Sequence, residues 1–169
     1  SKEAKIASDL AECTIDVISQ AESFGKFKSI SEKEIFKMEY WSLEQAKLKN
    51  LKRKHFSGNV VLISGGCGEI GLSTAESFLK EGAEVILLEK EQRRINDTPT
   101  KIKKFVSILK CDVTNTYSLD KAIKEVIKIH GGIDILVCNA GAPWQGKMAD
   151  VSKDIMQKSL DLNLLSHHH

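Results

Sequence analysis

Ser64 to Gly71 reads SGGCGEIG, four glycines in eight residues. Such a stretch could bind an anion. Glycine lets a backbone turn sharply and approach a ligand closely. A helix that starts in the turn offers free N–H groups and partial positive charge to a pyrophosphate. Ser64, Gly65, Cys67, Glu69, Ile70 and Gly71 are the candidate residues of that turn. Glu89 follows at about the 20-position spacing of a dinucleotide fingerprint. An acid there can accept hydrogen bonds from both hydroxyls of the adenosine ribose, and it repels a 2′-phosphate. The pattern points to NAD, with NADP the weaker candidate. Lys90, Arg93 and Arg94, just behind Glu89, pull the other way. The alternative is a glycine-rich turn with no ligand. Cys67 in the turn could be reactive, since a helix N-terminus lowers a thiol pKa; its alternative is a small residue that fills the turn.

The turn needs a strand before it and a helix after it. Val60 to Ile63 is a short apolar run, as in a strand buried on both faces. Leu72, Ala75, Phe78 and Leu79 follow at helical spacing, and Gly82 suits a left-handed helix end. Val85 to Leu88 is a second strand. Gln92 to Lys104 is polar, contains Pro99, and reads as a loop or short irregular helix. Phe105 to Leu109 is a third strand. Ala122, Ile123, Val126, Ile127 and His130 form an amphipathic helix closed by Gly131, with His130 in its last turn and not a ligand. Ile133 to Cys138 is a fourth strand, and Ser152 caps a helix holding Ile155, Leu160 and Leu164. The expected fold is α/β: the N-terminal half of a doubly wound Rossmann fold, with parallel strands in the order 3-2-1-4. That order leaves the fourth strand as an edge, where parallel strands normally need cover on both faces. The chain is therefore expected to be part of a longer protein.

SGGCGEIG resembles the T-G-x-x-x-G-x-G segment of the short-chain dehydrogenase/reductase family, with Ser64 for Thr. Three further pieces fall in the family's order. Asp112-Val113 resembles the acidic step that holds the adenine. Asn139-Ala140-Gly141 resembles the N-A-G motif, and Asn163 matches the catalytic asparagine. The resemblance covers Ser57 to Asn163. It implies hydride transfer between NAD and a small sugar-derived alcohol or aldehyde such as lactaldehyde. It also implies a homo-oligomeric full-length protein. There are two departures. Glu69 stands where the family's middle glycine belongs. The family's catalytic Ser and Tyr-x-x-x-Lys pair lie after the next strand, and the chain ends at His169. Neither Tyr40 nor Tyr117 is expected to supply that pair, so the chain alone is expected to be inactive. The alternative is a catalytically inactive nucleotide-binding or interaction module.

Residues 2 to 24 read as a helix whose apolar stripe is Ile6, Leu10, Cys13, Val17, Ala21 and Phe24, ended by Gly25. Ser31 to Glu34 and Ser42 to Gln45 are capping boxes that open two more helices. Met38, Tyr40 and Trp41 lie between them and want burial against a neighbouring domain. Lys47 to His55 is strongly basic. EYWSLEQAKLK resembles the junction in proteins that fuse a class II sugar-phosphate aldolase to a short-chain dehydrogenase. Residues 1–56 are thus expected to be the end of an aldolase domain plus linker, and residues 57–169 a truncated NAD(P)-binding Rossmann domain. Any lyase chemistry would belong upstream. An unrelated helical extension is the alternative.

Twenty-five basic residues against 23 acidic ones give a net charge of +2, with no case for nucleic-acid or membrane attraction. No apolar run approaches the roughly 18 residues of a membrane-spanning helix. Cys13, Cys67, Cys111 and Cys138 are scattered, without metal-ligand pairs, which suits free thiols in a reducing cytoplasm. No metal site is expected.

Overall fold

The computed structural model describes residues 2–39 and 54–168, apart from Gln145 and Met148. The chain divides into two compact units, Lys5–Lys54 and Ser1–Ala4 with His55–His169.

In the first unit, helix α1 spans Lys2–Phe24 and α2 spans Glu32–Glu39. Gly25 ends α1, its N–H bonding Ala21 O at 3.0 Å. The first capping box forms: Glu34 N–H donates to Ser31 Oγ at 3.4 Å, and Ser31 N–H donates to Glu34 Oε2 at 3.3 Å. The apolar stripe lies on a helix as expected, yet Ile6, Leu10, Val17 and Phe24 are exposed. A helical stripe is buried only by a second layer, and the described residues of this unit provide none. Met38 is also exposed. Tyr40, Trp41 and the helix expected from Ser42 lie outside the described residues.

The second unit is a four-stranded parallel sheet in the order β3-β2-β1-β4, the α/β arrangement expected. Its elements are β1 Val60–Ser64, α3 Glu69–Lys80, β2 Glu84–Glu89, α4 Gln92–Asp97, α5 Thr100–Lys103, β3 Val106–Lys110, α6 Thr116–His130, β4 Ile135–Val137 and α7 Lys153–Asn163, then a 3-10 turn, Leu165–His167. Side chains alternate across a strand, so β1 and β2 feed two cores. Val60, Leu62, Ile86 and Leu88 pack with Cys111, Ala122 and Val126. Val61, Ile63, Val85 and Leu87 pack with Cys67, Ala75 and Ala83. Both faces are covered, which is why these strands read as unbroken apolar runs.

The structure moves three boundaries. The third strand starts at Val106, because Phe105 N–H turns back to Ile102 O at 2.8 Å. The fourth strand is only Ile135–Val137, pairing with Val61, Leu62 and Ile63. Asp134 stops it below, its N–H bonding Val60 O at 2.9 Å and its Oδ2 accepting from Val60 N–H at 2.8 Å. The stretch 92–104 forms two short helices, parted at Pro99, whose missing N–H suits a helix start. Gly82 and Gly131 take left-handed conformations at the ends of α3 and α6. His130 is buried at the end of α6, with Nδ1 3.1 Å from Glu84 Oε1. Ser152 Oγ caps α7 by accepting from Ile155 N–H at 3.3 Å. The expected edge is present at β4, where Leu136 is 59% exposed.

Candidate functional site

The glycine turn lies between the C-terminal end of β1 and the first turn of α3. Gly65 has φ +60°, and a Cβ there would meet Ala140 Cα at 2.9 Å. A Cβ on Gly71 would meet Gly65 O and Gly66 Cα at 2.7 Å. Gly68, the N-cap of α3, has room: the nearest atom to a Cβ is Gly65 O at 3.5 Å. The turn therefore demands glycine at its outer positions and not at Gly68. Glu69 opens α3 and is exposed, as is Ile70. Cys67 is buried, and burial pushes its thiol up despite a hydrogen bond with Thr98. A raised thiol is a poor nucleophile, so Cys67 acts as a small core residue beneath the turn.

Ser64 and Asn139 fasten the turn to the loop after β4. Ser64 Oγ accepts from Asn139 N–H and Ala140 N–H, each at 3.0 Å. Asn139 Nδ2 donates to Ser64 O and Gly65 O, each at 3.0 Å. The motif asparagine thus adds a donor to both carbonyls where the strand passes into the turn.

Glu89 ends β2 and is 5% exposed. Its Oε1 accepts from Lys90 N–H at 2.9 Å and Glu91 N–H at 3.1 Å. Its Oε2 is buried without a hydrogen-bond partner. A buried carboxylate oxygen without a donor is costly. Asp112 lies on the same cavity wall. Burial works to raise its carboxyl, but Lys90 and the Thr114 donors outweigh it and hold it below the usual carboxylate value. Lys90 Nζ is 2.7 Å from Asp112 Oδ2, and Thr114 donates to Oδ1 through N–H at 3.0 Å and Oγ1 at 2.7 Å. Val113 is buried in the core beside it.

Two cavities adjoin over these residues. One of about 420 Å³ is bordered by Glu89, Asp112, Val113, Ala140 and Gly141. The other, about 640 Å³, lies over Gly65 to Gly71 and is bordered by Asn139, Ala140 and Gly141. Gly65, Arg94, Ala140 and Gly141 border both. The predicted residues from Gly65 to Gly141 thus come together at the C-terminal ends of the strands. That is where open α/β sheets bind ligands.

Asn163 borders neither cavity but bonds Ala142, which borders the first. Its Oδ1 accepts from Ala142 N–H at 3.0 Å, and its Nδ2 donates to Ala142 O at 3.1 Å and Ser159 Oγ at 3.2 Å. Its amide here braces the loop after Gly141. Tyr117 has Lys121 four positions after it. Both side chains are exposed on α6, and neither borders either cavity. Sequence reading missed Trp144, Lys158 and Asp161 on the first cavity. An aromatic soon after Asn139 was the one available signal. Among the described residues no His, Cys, Asp or Glu group could hold a metal ion, and no helix is long and apolar enough to cross a membrane.

The short chain dehydrogenase family model matches residues 59–169. The chain belongs to the short-chain dehydrogenase family. Residues 1–48 match a second model, aldolase class II, second domain. The oxidoreductase YuxG of Bacillus subtilis (strain 168) is 33% identical over 169 residues, covering 95% of this chain and 24% of that protein. Galactitol 2-dehydrogenase of Agrobacterium fabrum is 32% identical over 108 residues, covering 64% of this chain and 42% of that one. A crystal structure of a short chain dehydrogenase from Mycobacterium smegmatis aligns with TM-score 0.63 at 31% identity, over 67% of this chain and 49% of the other. The chain thus spans less than half the length of these dehydrogenases.

Proposed function

We propose that the chain is the NAD-binding half of a short-chain dehydrogenase that works on a small sugar-derived alcohol or aldehyde. The observation that carries this is the unpartnered Glu89 Oε2, buried at the wall of a cavity beside a glycine turn. A ribose hydroxyl supplies the donor that this oxygen lacks. A 2′-phosphate would bring negative charge against the same carboxylate, so NAD is favoured over NADP. The N–H groups that open α3 would face the pyrophosphate. Asp112 and Val113 would hold the adenine, and Asn139, Ala140 and Gly141 would form the facing wall. Bound NAD would supply the hydride acceptor. This chain's own part is to bind and orient it. Asn163, by fixing Ala142, would hold the loop that faces the nicotinamide side, and it is the candidate for the family's catalytic asparagine.

The match at residues 1–48 supports a further reading. Residues 1–56 are the end of an aldolase domain plus linker, and residues 57–169 begin the dehydrogenase domain of a two-function protein. A cytoplasmic homo-oligomer is the corresponding assembly. A catalytically inactive nucleotide-binding module is the second reading, favoured by the extra carboxylate of Glu69 in the turn. Calorimetry with NAD and NADP at one ionic strength tests the cofactor. The expected result is weak NAD binding, tighter than NADP; equal or tighter NADP binding would overturn the assignment of Glu89. The chain as given should reduce no NAD with any alcohol, because no acid/base tyrosine follows β4. Turnover by purified chain of verified mass would refute that.

A further inference from the structure

Three basic side chains follow Glu89, and the structure separates their roles. Lys90 is paired with Asp112 at 2.7 Å. Arg93 is paired with Asp97 at 3.5 Å and borders neither cavity. Arg94 borders both cavities. Its Nε is held 3.4 Å from Glu91 Oε2. Its Nη1 lies over Gly68, 3.7 Å from where a Cβ on that glycine would sit. The guanidinium thus lies at ordinary contact distance from a Cβ at Gly68. Glu69, next along, brings a carboxylate to the border of the same cavity. Glu89, whose buried Oε2 has no hydrogen-bond partner, borders the adjoining cavity.

We propose that Arg94 is a binding residue for the pyrophosphate of a dinucleotide and offsets the negative charge that Glu69 brings to the phosphate turn. A guanidinium donates to phosphate oxygens in a fixed fork, and such charge-assisted bonds are among the stronger ones. α4 holds Arg94 there. Glu91, on the residue before that helix, anchors Nε and leaves the Nη end toward Gly68. Arg94 sets one positive charge against the carboxylates of Glu69 and Glu91, so it reduces the negative charge that the free N–H groups of α3 must outweigh to attract an anion. The inference rests on the dinucleotide reading above.

Calorimetry on the full chain tests it, with NAD and adenosine as probes. Adenosine carries the ribose and base but no phosphate. Arg94→Ala should weaken NAD on the order of tenfold or more, the usual scale of one lost charge-assisted hydrogen bond. Adenosine affinity should not change. Arg94→Lys should recover part of the loss. Glu69→Gln in the Arg94→Ala background should restore more affinity than Glu69→Gln gives alone, the non-additivity expected of two charges at one site. Equal losses for NAD and adenosine, strict additivity, or no loss with NAD would each overturn the role of Arg94 while leaving the nucleotide site standing. A loss confined to NADP would reassign Arg94 to a 2′-phosphate. Wild-type chain that binds neither NAD nor adenosine would overturn both the site and this inference.

Discussion

Ser64 Oγ receives two backbone N–H groups, from Asn139 and Ala140, at 3.0 Å each, across 75 residues of chain in the first case. The hydroxyl joins the ends of β1 and β4, and the Asn139 amide returns two bonds to the turn. One hydroxyl thereby sets the spacing between the phosphate turn and the loop that faces it. Ser64→Ala should cost about 1–3 kcal/mol, the usual penalty for leaving buried donors unpaired. Ser64→Thr keeps the hydroxyl and should cost less. Urea denaturation of the three proteins measures this, and an unchanged midpoint for Ser64→Ala would mean that water replaces the oxygen.

The glycines of the turn should differ sharply in tolerance. Gly71→Ala would drive a Cβ to 2.7 Å from the backbone at Gly65 and Gly66, which cannot retreat without opening the turn. Gly68→Ala meets nothing nearer than 3.5 Å. We expect Gly71→Ala to lower the melting temperature and abolish NAD binding, and Gly68→Ala to leave stability within about 0.5 kcal/mol. Thermal melts with calorimetry decide it; equal effects of the two would contradict the packing described.

Glu89→Gln keeps the shape of the side chain and removes its charge. NAD should then bind less tightly, by roughly the 10-fold that one charge-assisted bond commands. NADP should bind less weakly relative to NAD, since the repulsion of a 2′-phosphate is gone. A ratio of the two affinities unchanged from wild type would show that Glu89 does not read the ribose.

Acid sensitivity should trace in part to Asp112. Its folded carboxyl is held below the usual value, mainly by Lys90 and Thr114 acting against burial. A depressed carboxyl contributes stability above its unfolded pKa, about 3.9. The contribution is lost as pH falls through the folded value, because the unfolded chain binds the proton first. The fall should therefore begin near pH 4 and continue below it. Lys90→Met removes one cause of the depression, and its stability should fall less steeply over that range. Urea midpoints measured across acid pH compare the two. Parallel curves would place the acid sensitivity elsewhere.

Local chemistry made much of this protein readable in order along the chain. Unbroken apolar runs require strands covered on both faces, and β1 and β2 are so covered. The glycine spacing of Ser64 to Gly71 requires a tight turn into a helix, and the strand order followed from the parallel half-unit it opens. Strand ends were less legible. Phe105 and Ile133 are apolar enough for a strand, but a strand extends only as far as a neighbour supplies hydrogen bonds. Asp134 ends β4 by capping Val60, a contact across 74 residues. The apolar stripe of α1 was legible as a helix and not as a buried face, since burial depends on what lies opposite. The site divides the same way. Spacing from the glycine turn named Glu89, and the family resemblance named Asp112. Only the tertiary structure decided that Lys90 turns to Asp112, that Asn163 braces Ala142 and that Arg94 reaches Gly68. A long side chain has several reachable partners, and the packing around it selects one.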